Sequence, residues 1–423
     1  MLEFEIILIS SYKVIYLCDK ILKMSNKYVG GYEMKNSSFK KLFIILSIIV
    51  AVSGFSQGML LPLISVIFER SGVSSSLNGL HATSLYIGVF LSSFFIEGLV
   101  RRSGFKYIIL IGGAIVALSL LLFPVLKTLS IWFILRLLIG IGDNMLHFST
   151  QTWLTHITPK EKLGRTISVY GFSFSAGFML GPLLAKLVDV SETLPFILSA
   201  ILSIITISLV LLIHNEFPSS NVRPISMINT LKNFGDVIKT SWIAFMFPLL
   251  YGLFEAGLHS NFPVYGLRNG LDVTSITLIL PAFSLGAILF QVPIGMFSDL
   301  HGRKKVLTGL TLIGSVIFLL GDFLPTTPFI MIALFLTAGL FTGSFYGLGV
   351  SFMTDLTPRH NLPAGNLMIA MSFSVGSIIG PMLGGAIIEI SNGTVFFTMV
   401  ASFIFIVFIL LLFHKTPTET AQS

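Results

Sequence analysis

The chain has 423 residues, 54% of them hydrophobic and only 11% charged, with a mean hydropathy of +0.92. So few charges cannot keep the surface of a soluble globule hydrated, and the composition specifies an integral membrane protein. The formal net charge of +7 raises a nucleic-acid partner, which the distribution of the basic residues then removes.

Residues 1–33 differ from the rest. The run Phe4–Leu17 is moderately apolar but carries Glu5 and Lys13, is too short to span, and is followed by no small-residue cleavage site of the kind a signal peptide needs. Gly30-Gly31-Tyr32-Glu33 before Met34 is what a purine-rich ribosome-binding site gives when translated in frame, so the expected natural start is Met34. An interfacial anchor helix is the alternative. The single cysteine, Cys18, cannot form an intramolecular disulfide, so no oxidised framework is expected.

Beyond this extension, apolar segments recur at the ~20-residue length that a bilayer core requires. Twelve spans are predicted: 41–67, 82–100, 106–126, 130–155, 164–187, 193–214, 240–264, 275–298, 305–323, 327–354, 364–390 and 393–413. Barrel strands of ~10 residues do not produce runs this long, and open strands leave backbone groups unpaired in lipid. The fold class is therefore all-α integral membrane. Residues 215–239, with Pro218, Ser219, Ser220 and Pro224, read as a polar linker between a six-helix bundle at 34–214 and another at 240–414, followed by a tail at 415–423. Placing residue 40 in the cytoplasm puts 17 of the 26 Lys and Arg on that side and leaves Arg70, Lys127, Lys186 and Arg268 outside. That asymmetry follows the positive-inside rule with both termini cytoplasmic, so the basic excess requires no nucleic acid.

The two bundles repeat each other. Residues 152–186 and 351–385 align without a gap at an offset of 199, with 11 identities in 35 positions. They share Thr155/Thr354, Thr158-Pro159/Thr357-Pro358 and Gly-x-x-x-Gly-Pro at Gly177, Gly181, Pro182 and Gly376, Gly380, Pro381. Paired membrane halves are a construction of secondary transporters. Small residues let helices approach closely and Gly-Pro weakens the backbone ladder, so these six residues are candidates for helix bending, with simple packing as the competing reading.

Ionisable groups inside spans are functional hypotheses by default. Span 4 carries Arg136, Asp143 and His147, whose spacings of seven and four place them on one stripe, expected to face a central cavity. Span 7 carries Tyr251, Glu255 and His259 on one face. A carboxylate in a low-dielectric cavity suits proton loading and release, which makes Glu255 the leading proton carrier and Asp143 its rival. Glu-x-x-x-His offers two metal ligands without a third, so no metal is expected. Glu69, Asp322 and Glu389 lie near span ends and are expected simply to be solvated.

Between spans 8 and 9 stands Gly295-Met-Phe-Ser-Asp299-Leu-His-Gly302-Arg303-Lys304-Lys305. This resembles the G-x-x-x-D-R-x-G-R-[RK] signature of the major facilitator superfamily, with Leu300 replacing the first Arg. The corresponding loop of the first half keeps Gly104 and the basic residues Arg101, Arg102 and Lys106, but has Arg101 in place of the family's Asp, with Glu97 one turn earlier. Arg136-x-x-x-Gly140-x-Gly142 resembles a further family segment, and Gly177-x-x-x-Gly181-Pro182 resembles the motif of proton-coupled antiporters.

The resemblance covers residues 35–415. It implies alternating access between the halves and a coupling role for Arg136. It also implies a cytoplasmic gate in which Asp355 pairs with Arg303, with Glu97 standing in for the missing acid of the first loop.

Gly54-x-Ser56-x-Gly58 matches a hydrolase pattern but lies inside a span rather than at a strand-to-helix turn. There is no phosphate-binding loop. The resulting expectation is proton-driven efflux of a small amphipathic molecule from a bacterial-type cell membrane by a monomer without cofactor, its partners being the lipid bilayer, a small-molecule substrate and protons. A proton-coupled nutrient importer is the alternative, and a membrane receptor or membrane-embedded enzyme a distant third.

Overall fold

A computed structural model describes residues 37–218, 227–358 and 361–414. The expectations for residues 1–33, the linker residues 219–226 and the tail from 415 lie outside the described residues. Helices account for the spans: span 1 Ser37–Arg70, span 3 Phe105–Leu122, span 4 Leu129–Ile157, span 5 Lys160–Ala185, and span 6 Leu194–Ser208 with a tighter turn at Leu209–Leu212. Span 7 is Met227–Arg268, span 8 Val273–His301, span 9 Arg303–Gly321, span 11 Leu362–Ser391 and span 12 Phe396–Phe413. Two spans are broken. Span 2 runs Ser75–Ser93 and resumes at Ile96–Ser103 after a 57° bend, and span 10 runs Pro328–Thr342 and resumes at Phe345–Leu356.

Two boundaries differ from the hydropathy reading for one physical reason: apolarity marks lipid contact, not helicity. Span 7 extends back through the polar residues to Met227, absorbing the end of the predicted linker. Span 2 starts seven residues early, where Ser74 caps it by accepting from Leu77 N at 3.3 Å. Its first turns hold Asn78, His81, Thr83 and Ser84, all buried inside the protein, so they need no lipid-compatible side chains.

The halves share one packing scheme. Span 1 lies along span 5, span 2 on span 4 and span 3 against spans 4 and 6; span 7 lies along span 11, span 8 on span 10 and span 9 against spans 10 and 12. Each half has its own apolar core, one around Ile64, Phe123 and Trp153, the other around Phe254, Phe262 and Phe335. The repeated glycines produce the first of these contacts. A Cβ on Gly177 would meet the Ala51 carbonyl oxygen, and one on Gly376 the Leu249 carbonyl oxygen; Gly181 and Gly380 are equally tight against Phe55 and Leu253. The Gly54-x-Ser56-x-Gly58 run has the same explanation, because Gly54 and Gly58 face the carbonyls of Phe174 and Phe178.

Between the halves, span 2 packs on span 11, span 5 on span 8 and span 1 on span 7. These contacts lie toward the end opposite the basic loops. Gly79 and Gly385 approach so closely that a Cβ on either would meet the carbonyl oxygen of Pro381 or Ser75, and Asn78 Nδ2 donates to the Ser260 carbonyl at 3.1 Å. Toward the basic loops the same helices carry exposed apolar side chains: Leu91 and Phe94 on span 2, Val292 and Met296 on span 8, and Leu367 and Met371 on span 11.

Candidate functional site

Where the halves meet at mid-span, Phe174, Ser175 and Phe178 of span 5 face Tyr251, Glu255 and Gln291 across a cavity. Glu255 is half-buried, and the Tyr251 hydroxyl donates to its Oε1 at 3.2 Å. One turn on, His259 donates from Nδ1 to the Glu255 carbonyl at 2.8 Å, which fixes its tautomer and leaves Nε2 buried without a partner among the described residues. Its ring meets Phe178 of the other half at 4.7 Å. Tyr251, Tyr346 and Phe373 form an aromatic wall beside the carboxylate, with centroids 5.7–6.2 Å apart.

The polar stripe of span 4 is divided. Asp143 is 1% exposed, and Ser53 of span 1 donates to its Oδ1 at 2.7 Å while standing 3.2 Å from His147 Nε2. Two turns away, Arg136 is fully buried with none of its three guanidinium nitrogens hydrogen-bonded among the described residues. It lies within electrostatic reach of His81 and Tyr86 of span 2. Tyr86 is also within reach of Glu255 and so connects the Arg136 group with the cavity. Asn144 turns away, donating to Ser92 at 2.8 Å and Ser93 at 3.1 Å.

Sequence reasoning missed Tyr86, His81, Ser53 and Gln57. Ser53 bonds Asp143 at 2.7 Å and Gln57 lies beside it; the two stand four apart in a mostly apolar span, a signal that was available.

At the basic end of the second half, Gly302 has φ +89°, a turn that suits only glycine. It delivers Arg303 onto Asp355 at 2.6 Å and Asp299 at 2.8 Å, as the signature implies. Among the described residues, nothing contacts the position a Gly295 Cβ would take.

The first half is built differently. Gly104 makes the same turn, with φ +82°, but the residue after it is Phe105, and the position equivalent to Asp355 is His156, 199 residues earlier. An aromatic contact at 6.3 Å replaces the ion pair. Glu97 does not stand in for the missing acid: it pairs at 2.8 Å with Arg101, four residues along its own short helix, and Arg102 is exposed. The start of the linker closes this corner instead. Glu216 accepts from Phe105 N through its carbonyl at 2.9 Å and from Trp153 Nε1 through its carboxylate at 2.8 Å, and Asn215 bonds Lys106 N and the Ser103 carbonyl.

The carboxylates near the opposite end are bonded rather than merely solvated, because helix termini and a cation lie within their reach. Glu389 accepts from Ser75 N at 2.8 Å and Ser75 Oγ at 2.6 Å, joining the halves. Glu69 pairs with Arg268 at 2.7 Å. Asp322 accepts from the amides of Phe397 and Thr398 at the start of span 12, and its burial there raises its pKa above the ordinary carboxylate value.

Comparison with known proteins agrees with this architecture. The family model described as Major Facilitator Superfamily matches residues 46–272 and 249–423. The chain is 46% identical over 385 residues to the MFS-type transporter YfkF of Bacillus subtilis, covering 90% of this chain and 98% of that protein. It is 24% identical over 348 residues to the MFS-type transporter YcaD of Salmonella paratyphi B, covering 81% and 88%. Among solved structures, a point mutant of the nucleoside transporter NupG superposes with a TM-score of 0.76 at 18% identity, covering 88% of this chain and 99% of that one. A bacterial homologue of the human lysosomal transporter Spinster, inward-facing and unoccupied, gives 0.74 at 14% identity, covering 90% and 99%. With the family model matching nearly all of both halves, the chain belongs to the major facilitator superfamily and is a multi-pass membrane transporter.

Proposed function

We propose that this transporter is proton-coupled, that Glu255 is its coupling carboxylate, and that it exports a small amphipathic molecule from the cell by antiport. The observation that carries this reading is the position of Glu255: half-buried, on the helix that lines the junction, and facing Phe174 and Phe178 of the other half. A group placed there is sensed by both halves, so its protonation and the binding of an amphipathic guest against the aromatic wall compete for one cavity. With the basic loops in the cytoplasm, the arrangement is closed outside and open inside. Opening the other face requires the contacts at Glu69, Glu389 and the Gly79–Gly385 crossing to part. The Arg303–Asp355 pair then acts at the cytoplasmic gate, and the Gly-Pro segments of spans 5 and 11 bend.

A second reading, uptake of a nutrient with protons, takes support from the likeness to a nucleoside transporter, whose low identity extends to the fold alone. One experiment decides the direction. Protein in proteoliposomes with an imposed pH gradient is exposed to cationic, neutral and anionic amphipathic compounds and to nucleosides. Proton movement opposite to the compound supports antiport, movement with the compound supports uptake, and compound movement without protons removes the coupling.

A further inference from the structure

We propose that Asp143 carries a second proton, separate from that of Glu255, and exchanges it through Ser53 and His147. The proposal rests on the reading of the chain as proton-coupled. Its basis is one hydroxyl that bridges two groups able to hold a proton: Ser53 Oγ lies 2.7 Å from Asp143 Oδ1 and 3.2 Å from His147 Nε2. A hydroxyl has one proton to donate. Given to the carboxylate, it leaves the Ser53 oxygen to accept from the imidazole Nε2–H. A proton can then leave Nε2 for Ser53 Oγ as the Ser53 proton passes to Oδ1. Imidazolium becomes neutral imidazole, carboxylate becomes carboxylic acid, and the hydroxyl is restored.

Burial gives this chain a direction. Asp143 is 1% exposed whereas His147 is only half-buried, so the imidazole is the port and the carboxylate the store. The ring is held in register by neighbours of span 5. Phe174 meets it edge-on at 4.8 Å, and the Tyr170 hydroxyl lies 3.4 Å from Nδ1 while bonding Thr150 at 2.8 Å. At the far end, Asp143 Oδ2 is buried and without a partner among the described residues.

Among the described residues, the surroundings supply no bonded cation. Span 1 contributes the neutral Ser53 and Gln57, and span 5 contributes Tyr170. Span 3 approaches through Gly112 against Gly142, while His81 and Tyr86 of span 2 stand near Arg136, two turns away. A buried carboxylate without a bonded cation is costly, and uptake of a proton removes that cost.

The competing role is a structural tie between spans 1 and 4, which would leave Asp143 in a single protonation state. Infrared difference spectra of the full chain in liposomes, taken between alkaline and acidic buffer, read protonated carboxyl groups through their C=O stretch and need no substrate. Asp143→Asn is expected to delete one component of that band and Glu255→Gln a different one. Asp143→Glu should shift the first component without deleting it, which separates loss of the acid from loss of the fold. Ser53→Ala and His147→Phe should retain it but delay its appearance after a pH jump by at least about tenfold. An unchanged spectrum in Asp143→Asn, or an unaltered rate in Ser53→Ala, would overturn the proposal. If Glu255→Gln alone changes the band, Glu255 keeps its role and the second proton is lost; if Asp143→Asn alone does, the reverse holds.

Discussion

Glu69 at the end of span 1 and Arg268 at the end of span 7 bind each other across the junction of the halves: Arg268 Nε donates to Oε1 at 2.7 Å and Nη2 to Oε2 at 3.2 Å. The pair ties the end of span 1 to the end of span 7, and so one half to the other.

The pair is partly exposed, at 18% for the Glu69 side chain and 28% for that of Arg268, so it contributes no more than about 1 kcal/mol. That is enough to shift a conformational equilibrium roughly fivefold. Glu69→Gln should raise the population open at this end by up to that factor, and the double exchange Glu69→Arg with Arg268→Glu should restore it. Distances between spin labels at Ser71 and Asn269, with Cys18 replaced by serine, report the two populations.

The glycine contacts separate two kinds of glycine. Gly177→Val and Gly376→Val drive a side chain into the carbonyls of Ala51 and Leu249 and should each destabilise the fold by about 1–3 kcal/mol, lowering the melting temperature in detergent. Gly295→Ala meets nothing and should leave the melting temperature unchanged. Equal effects from all three would show that the spans do not pack as described.

The two basic-end corners should respond differently to mutation. Asp355→Asn removes an acceptor that holds Arg303 and should slow transport severalfold. His156→Ala removes only a tilted ring contact with Phe105 and should slow it little, whereas Glu216→Gln weakens the bond from the buried Trp153 and should act like Asp355→Asn. Initial rates for the three variants test this division.

Asp272 caps span 8, with the Ser275 hydroxyl and then its amide holding the carboxyl below its ordinary pKa. A lowered folded-state value means that this stabilisation is present above the ordinary carboxylate range and is lost as pH falls through the folded value. Asp272→Ala should cost about 1 kcal/mol near neutrality, and its deficit should shrink as pH falls below the ordinary carboxylate value. Thermal melts of wild type and variant across that range measure both.

Most of the fold could be read from hydropathy and the repeat because lipid-facing helices must be apolar and duplicated halves reuse one packing scheme. Reading failed where a helix is covered by protein. The first turns of span 2, with Asn78, His81 and Ser84 buried, do not look like a span. At the site, Glu255, Asp143 and Arg136 were visible as charges in apolar surroundings. Their partners were less so, because Ser53, Gln57 and Tyr86 are neutral residues whose role comes from the helix opposite. The Arg303–Asp355 pair followed from a motif. Its replacement by Phe105, His156 and Glu216 did not, since a linker folding back on a helix start leaves no periodic trace.

The central claim is that Glu255 couples protons to transport. The most direct measurement is compound-triggered proton movement in proteoliposomes containing Glu255→Gln, beside wild type and with compound movement recorded in parallel. The account predicts that proton movement is abolished while binding of the compound persists. Proton movement at the wild-type rate in Glu255→Gln would contradict it.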